Sequence, residues 1–218
     1  AKKLSGSDVD ILRRSGCRVE FFRPIRPWML DVINRRSHRR ILVVDGKIGF
    51  TGGVGIAKMW EGNADSPEHW RDTQVRLEGP AVAEMQSAFQ ENWGEVTGEL
   101  LVGEKFFPGL AQVGNVLAAV VPSSPRPSSS ASQTLYSVAI SSAEHTISLS
   151  NSYFVPNSES VGLLIAASQR GVNVRILVPG AINDVTISRG GGAIRLPEIS
   201  LYASAVSAIP AVRRRLVE

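Results

Sequence analysis

The sequence is poor in the residues from which many sites are built: 218 positions hold one cysteine, Cys17, and only three histidines and three methionines. A lone thiol can neither close a disulfide within the chain nor share a cysteine zinc cluster, so both are excluded. Long apolar runs are missing too. The best stretch, around Val116 to Val121, falls far short of the roughly 20 residues a spanning helix needs, and the N-terminus has no signal-peptide pattern. No bilayer-crossing helix is expected. What is present is ordinary globular material, 43% hydrophobic and 20% charged with 20 Gly and 12 Pro. That is enough to bury a core in one domain or two thin ones.

The net charge of +4 is unevenly spread, because residues 1–47 hold 12 Lys/Arg against 5 Asp/Glu and the remainder 12 against 15. A positive N-terminal block implies an anionic partner. Arginine dominates it, and the planar guanidinium fork matches phosphate oxygens; a solvated basic face is the plainer reading.

Along the chain, Asp8 to Ser15 followed by Gly16 reads as a helix closed by a glycine, and Cys17 to Phe22 alternates as a strand. Two prolines break it, and Trp28 to Arg35 reads as a short helix or irregular turn. Ile41 to Val44 is a continuous aliphatic run of the kind found in strands covered on both faces. Asp45-Gly46 is a hairpin turn signal, and Lys47 to Thr51 returns as a second strand. After a glycine-rich loop and a polar excursion, Thr73 to Leu77 is a strand. Gly79-Pro80 then starts a helix whose stripe is Val82, Met85, Phe89 and Trp93.

Six Ser and three Pro in Pro122 to Gln133 have the composition of a linker. Beyond it, helix, strand, helix and strand succeed one another over Leu135–Glu144, Thr146–Ser150, Glu159–Arg170 and Val172–Val178. Alternation of this kind argues for α/β layers. The domains expected are therefore 1–121, a linker 122–133, and 134–218. An offset of 155 residues relates Leu12 to Pro24 with Ala167 to Pro179, each reading helix end, Gly, alternating strand and Pro. Either the chain is duplicated or two common helix-Gly-strand units look alike.

Of the histidines, His145 reads as a surface residue at a helix-to-strand junction and His69 as part of a polar loop. His38 stands two residues before Arg40 as the chain runs into an apolar strand. On extended backbone the two project from one face. An imidazole beside a guanidinium suits attack on a phosphodiester, with the ring as nucleophile and the cation holding anionic oxygens as charge builds. The plainer alternatives are a polar residue in a basic loop and, for Asp45, a simple Asp-Gly turn.

His38-x-Arg40-x4-Asp45, with Gly52-Gly53 after it, resembles the HxKx4D signature of the phospholipase D superfamily. The segments Phe21 to Pro24, Val54 to Ala57, His69 to Thr73 and Leu77 to Val82 are similar to bacterial cardiolipin synthase-type members. Tyr153-Phe154-Val155-Pro156, then Arg170 to Arg175 and Val178 to Gly180, resemble the start of the second catalytic lobe. The resemblance implies an α/β fold, a phospholipase D-like mixed sheet flanked by helices, with a first lobe nearly complete and a second truncated. It implies phosphoryl transfer through a phosphohistidine without metal or other cofactor. His38 would attack phosphorus, Arg40 clamp the nonbridging oxygens, Asp45 join the motif's charge network, and Gly52 and Gly53 allow close approach of the phosphate.

The implied enzyme is a phosphatidyltransferase making cardiolipin from phosphatidylglycerol, or a phospholipase D if water is the acceptor. Its partners would be a phospholipid substrate and the surface of the bacterial cell membrane. Three departures stand out. The family's lysine is Arg40, Gly55 stands where many members have Asn, and a second histidine motif is missing: the offset places Ala193, Arg195 and Ser200 where His, Lys and Asp would fall. The chain is thus expected to be a fragment, atypical after about residue 182, that needs a second lobe or a second chain to complete its site. The alternatives are a dimeric single-motif endonuclease on a nucleic acid and a non-catalytic phosphate-binding remnant.

Overall fold

The computed structural model describes residues 4–23, 38–123, 131–152, 154–179 and 200–204. The expected turn at Trp28–Arg35, most of the Ser/Pro linker, Tyr153, and the offset positions Ala193 and Arg195 lie outside them. The chain divides into two units, Ala1–Ala131 and Ser132–Glu218.

The first unit opens with α1, Gly6–Arg14. Ser5 and Asp8 cap it reciprocally: Asp8 N–H donates to Ser5 Oγ at 3.2 Å and Ser5 N–H to Asp8 Oδ2 at 3.1 Å. Asp8's carboxyl is held below the usual carboxylate range by its hydrogen bonds from Ser5. Gly16, at φ +88°, ends the helix, with Gly16 N–H donating to Arg13 O and Cys17 N–H to Leu12 O, each at 3.0 Å.

Three antiparallel strands come next: β1 Ile41–Val44, β2 Ile48–Gly52 and β3 Gln74–Glu78, ordered β1-β2-β3. Asp45 and Gly46 take φ of +54° and +66°, and Lys47 N–H donates to Val44 O at 2.9 Å. This is the tight turn the Asp-Gly pair predicts. Helix α2, Ala81–Thr97, lies against one face of the sheet and buries Val82, Met85 and Ala88. Each large apolar side chain so buried is worth roughly 1.5–3 kcal/mol. Gly49 lets Met85 close on the sheet, since a Cβ there would stand 2.5 Å from Met85 Sδ. Phe89 remains 39% exposed, so the apolar stripe of α2 is buried mainly in its first half.

Two strand expectations are corrected. Ile41–Val44 is covered on one face only: Leu42 and Val44 are 57% and 40% exposed, because α2 packs on the side of Ile41 and Val43. Residues 17–22 form no strand. They run without a ladder partner among the described residues, tied instead by side chains. Arg13 Nη2 donates to Val19 O at 2.7 Å, Arg18 pairs with Glu99 at 2.6 Å, and Arg23 pairs with Glu95 at 2.6 Å. Glu99's carboxyl is held low by the Trp93 indole N–H and then by Arg18.

The second unit holds α3 Ala131–Ser142, β4 Thr146–Ser150, α4 Ser158–Gln169, β5 Asn173–Pro179 and β6 Ser200–Ser204. Its sheet is parallel, ordered β4-β5-β6. Val174, Ile176 and Val178 of β5 are buried with Val172, Ile140, Phe154, Leu164 and Ala167. The end of α4 repeats the end of α1 bond for bond. Gly171, at φ +91°, donates to Ser168 O at 2.9 Å, and Val172 N–H donates to Ala167 O at 3.1 Å. The mixed α/β architecture expected from the sequence is present, with helices and small sheets in both units. Among the described residues no helix is long and apolar enough to cross a membrane.

Gly46 provides a test of the first sheet. It has positive φ, and a Cβ would fall 2.6 Å from both Phe106 O and Pro108 Cδ. Gly46→Ala is expected to destabilise the first unit by about 1–3 kcal/mol, read as a lowered denaturant midpoint. An unchanged midpoint would contradict this packing.

Candidate active site

From residue 38 to residue 44 exposure alternates without a break, odd positions half-buried and even positions exposed. The alternation of β1 therefore extends back to residue 38. Arg39 turns toward α2 with its side chain only 11% exposed. Its Nη1 donates to Ala88 O at 2.8 Å and to Asn92 Oδ1 at 3.2 Å, its Nη2 pairs with Glu91 Oε2 at 2.7 Å, and its Nε donates to Ser123 O at 3.1 Å. His38 and Arg40, on either side, are both exposed, in step with Leu42 and Val44 on the face that α2 leaves open.

Arg40 is not left loose there. Its guanidinium carbon lies 5.6 Å from the ring centroid of Trp60, a contact worth about 0.5–1 kcal/mol at an exposed site. Trp60 closes a single 3-10 turn, Lys58–Trp60, and meets Trp70 edge to face with centroids 5.5 Å apart. Gly55 lets the indole settle on the backbone, since a Cβ there would stand 2.8 Å from Trp60 Nε1. The glycine where many family members have Asn thus has a steric use in this chain. Trp70 N–H donates to Met59 O at 2.6 Å and closes the base of the polar loop.

Gly52 ends β2 and Gly53 follows it, at the end of the sheet where β1 begins, because Ile41 pairs with Thr51 and Gly52 with Gln74. The room they provide is taken up by the chain itself. A Cβ on Gly52 would run into the Thr73 carbonyl, and one on Gly53 into the Asp72 carboxylate. Gly53 N–H donates to Thr73 O at 3.3 Å, while Thr73 N–H donates to Asp72 Oδ1 at 2.7 Å. The glycine pair therefore seats Asp72 at this edge. Asp45 does not join His38 and Arg40. It sits in the turn at the opposite end of β1, exposed, roughly 15 Å along the extended chain from Arg40.

Sequence reasoning passed over Arg39, Trp60 and Asp72. Arg39 had a readable signal, since it lies between His38 and Arg40 and so out of step with both. For the other two nothing local announces the contact, which depends on a loop folding back. His145 is exposed at the start of β4, as expected, and its carbonyl accepts Asn173 N–H at 2.9 Å.

His69 is half-buried, and its Nδ1 lies 2.5 Å from Asp65 Oδ1. Hydrogen bonding from the imidazole holds the Asp65 carboxyl below its ordinary 3.8. A carboxyl depressed in the folded state stabilises above its unfolded value, and that contribution is lost as pH falls through the folded one. Protection of the Trp70 amide from hydrogen exchange is therefore expected to drop in a transition lying below pH 3.8, and Asp65→Asn is expected to remove the transition. The same transition in Asp65→Asn would show that another group closes the loop.

Residues 136–207 match a family model described as cardiolipin synthase, PLD-like domain. That match continues past residue 182 and takes in β6. The chain is 31% identical over 207 residues to cardiolipin synthase 1 of Bacillus cereus, covering 90% of this chain and 40% of that protein. It is 34% identical over 180 residues to the cardiolipin synthase of Alkalihalophilus pseudofirmus (81% and 36%), and 33% identical over 180 residues to that of Geobacillus thermodenitrificans (81% and 36%). The chain thus spans about two fifths of the length of these relatives.

Proposed function

Because the chain belongs to the cardiolipin synthase-like branch of the phospholipase D superfamily, we propose that it carries the nucleophilic half of a phosphatidyl-transfer site, working on phospholipid at a bacterial membrane surface. The observation that carries this reading is the alternation through residues 38–44, which commits Arg39 to α2 and leaves His38 and Arg40 together on the open face.

In the proposed reaction a ring nitrogen of His38 attacks the phosphorus of phosphatidylglycerol. The P–N bond forms, the P–O bond to the terminal glycerol breaks, and the departing glycerol oxygen takes a proton. A hydroxyl of a second phosphatidylglycerol then attacks phosphorus and loses a proton, the P–N bond breaks, and cardiolipin and free His38 result. Arg40 balances the nonbridging oxygens as charge develops, with its guanidinium held on Trp60. Arginine in place of the family's lysine offers two parallel donors to those oxygens. The acid that protonates the leaving glycerol would come from a second lobe or a second chain. Gly52 and Gly53 border the phosphate position, and Asp45 contributes through the turn that sets the strand pairing.

The test is capture of the intermediate with phosphatidylglycerol labelled at phosphorus. With a second lobe or second chain supplied to provide the acid, the chain is expected to take the label on histidine, His38→Ala to take none, and Arg40→Ala to label on the order of 10²–10³-fold more slowly. EDTA is expected to leave labelling unchanged. Label on His38→Ala, or its loss on chelation, would overturn the proposal.

A further inference from the structure

Resting on that reading, we infer that Arg39 is a positioning residue for the nucleophile: its buried guanidinium sets which face of β1 His38 and Arg40 occupy. The segment 34–40 offers arginines at 35, 36, 39 and 40 around His38, so charge alone does not decide which side chains turn toward α2. The acceptors do. Ala88 O, Glu91 Oε2 and Asn92 Oδ1 present three oxygens on neighbouring turns of α2, and Ser123 O adds a fourth from the segment after the helix. A planar fork of five donors can satisfy them together, whereas a single ammonium cannot.

The carboxylate of Glu91 matches the charge of Arg39, so burying the guanidinium leaves no uncompensated cation. Because side chains alternate along extended chain, fixing residue 39 inward fixes 38 and 40 outward. A one-residue slip would turn His38 and Arg40 against α2 and present Arg39 to the phosphate. Arg40, stacked on Trp60, secures the same register from the open side. The Ser123 bond also ties the residue pair that leads into β1 to the start of the Ser/Pro-rich segment. Arg39 touches no substrate in this scheme; it acts through the direction it gives its neighbours.

The experiment combines the labelling assay with NMR of the 218-residue chain, whose only histidines are His38, His69 and His145. Arg39→Ala is expected to slow labelling by roughly 10–100-fold, with the half-saturating phosphatidylglycerol concentration changed less than about twofold. It is expected to move the His38 ring resonances while those of His69 and His145 stay in place. Arg39→Lys is expected to recover part of the rate and to shift His38 less. Should alanine prevent folding, Arg39→Lys and Asn92→Ala are read in the same way. Unaltered labelling with unaltered His38 resonances overturns the inference. So does a loss of rate in which all three histidines move together, which marks a purely structural role. If the unsubstituted chain takes no label but Arg39→Ala still moves His38 alone, the phosphatidyl-transfer reading falls and the positioning role stands.

Discussion

A guanidinium taken out of water at the start of a short strand governs how the first unit can be used. The Arg39 side chain is only 11% exposed, and it is tolerated there because Glu91 neutralises it and α2 supplies oxygens for its donors. Helix, strand and the segment that carries Ser123 meet at that point. The apolar packing of Val82 and Met85 holds α2 on the sheet, and Arg39 then sets the strand's rotation relative to the helix. An imidazole and a guanidinium on one exposed face are the consequence.

The open face is arranged by a second set of contacts made from glycine and tryptophan. Gly55 admits Trp60, Trp60 supports Arg40 and meets Trp70, and the loop between them is closed by the Trp70–Met59 hydrogen bond and the His69–Asp65 pair. Gly52 and Gly53 are tight because Thr73 and Asp72 already fill the space beside them. Close approach by backbone is used here to seat the protein's own carboxylate.

The two units share a local device and diverge immediately beyond it. Glycines 16 and 171 end their helices with the same pair of hydrogen bonds at the same spacing. After Gly171 the chain enters the middle of a parallel sheet between β4 and β6, whereas after Gly16 it meets no ladder among the described residues and is held by arginine–glutamate pairs. Identical caps thus lead to a central strand in one case and a tethered extended segment in the other, because a strand is completed by its neighbours.

Local rules read most of the elements correctly: the glycine caps, the Asp-Gly turn, the first half of the α2 stripe and the alternation of β5 depend on residues a few positions apart. That His38 and Arg40 share a face was legible for the same reason, since alternation is a property of one extended segment. Which face of β1 would be covered, the failure of residues 17–22 to pair, the filling of the Gly52-Gly53 corner by Asp72 and the seating of Arg40 on Trp60 were not legible. Each joins residues about 20 or more positions apart, or turns on the lack of a partner strand among the described residues. Sequence by itself determined the periodicity and the turn chemistry, which are short-range steric preferences. Only the tertiary structure decided burial and direction, because these depend on which distant surface arrives to exclude water.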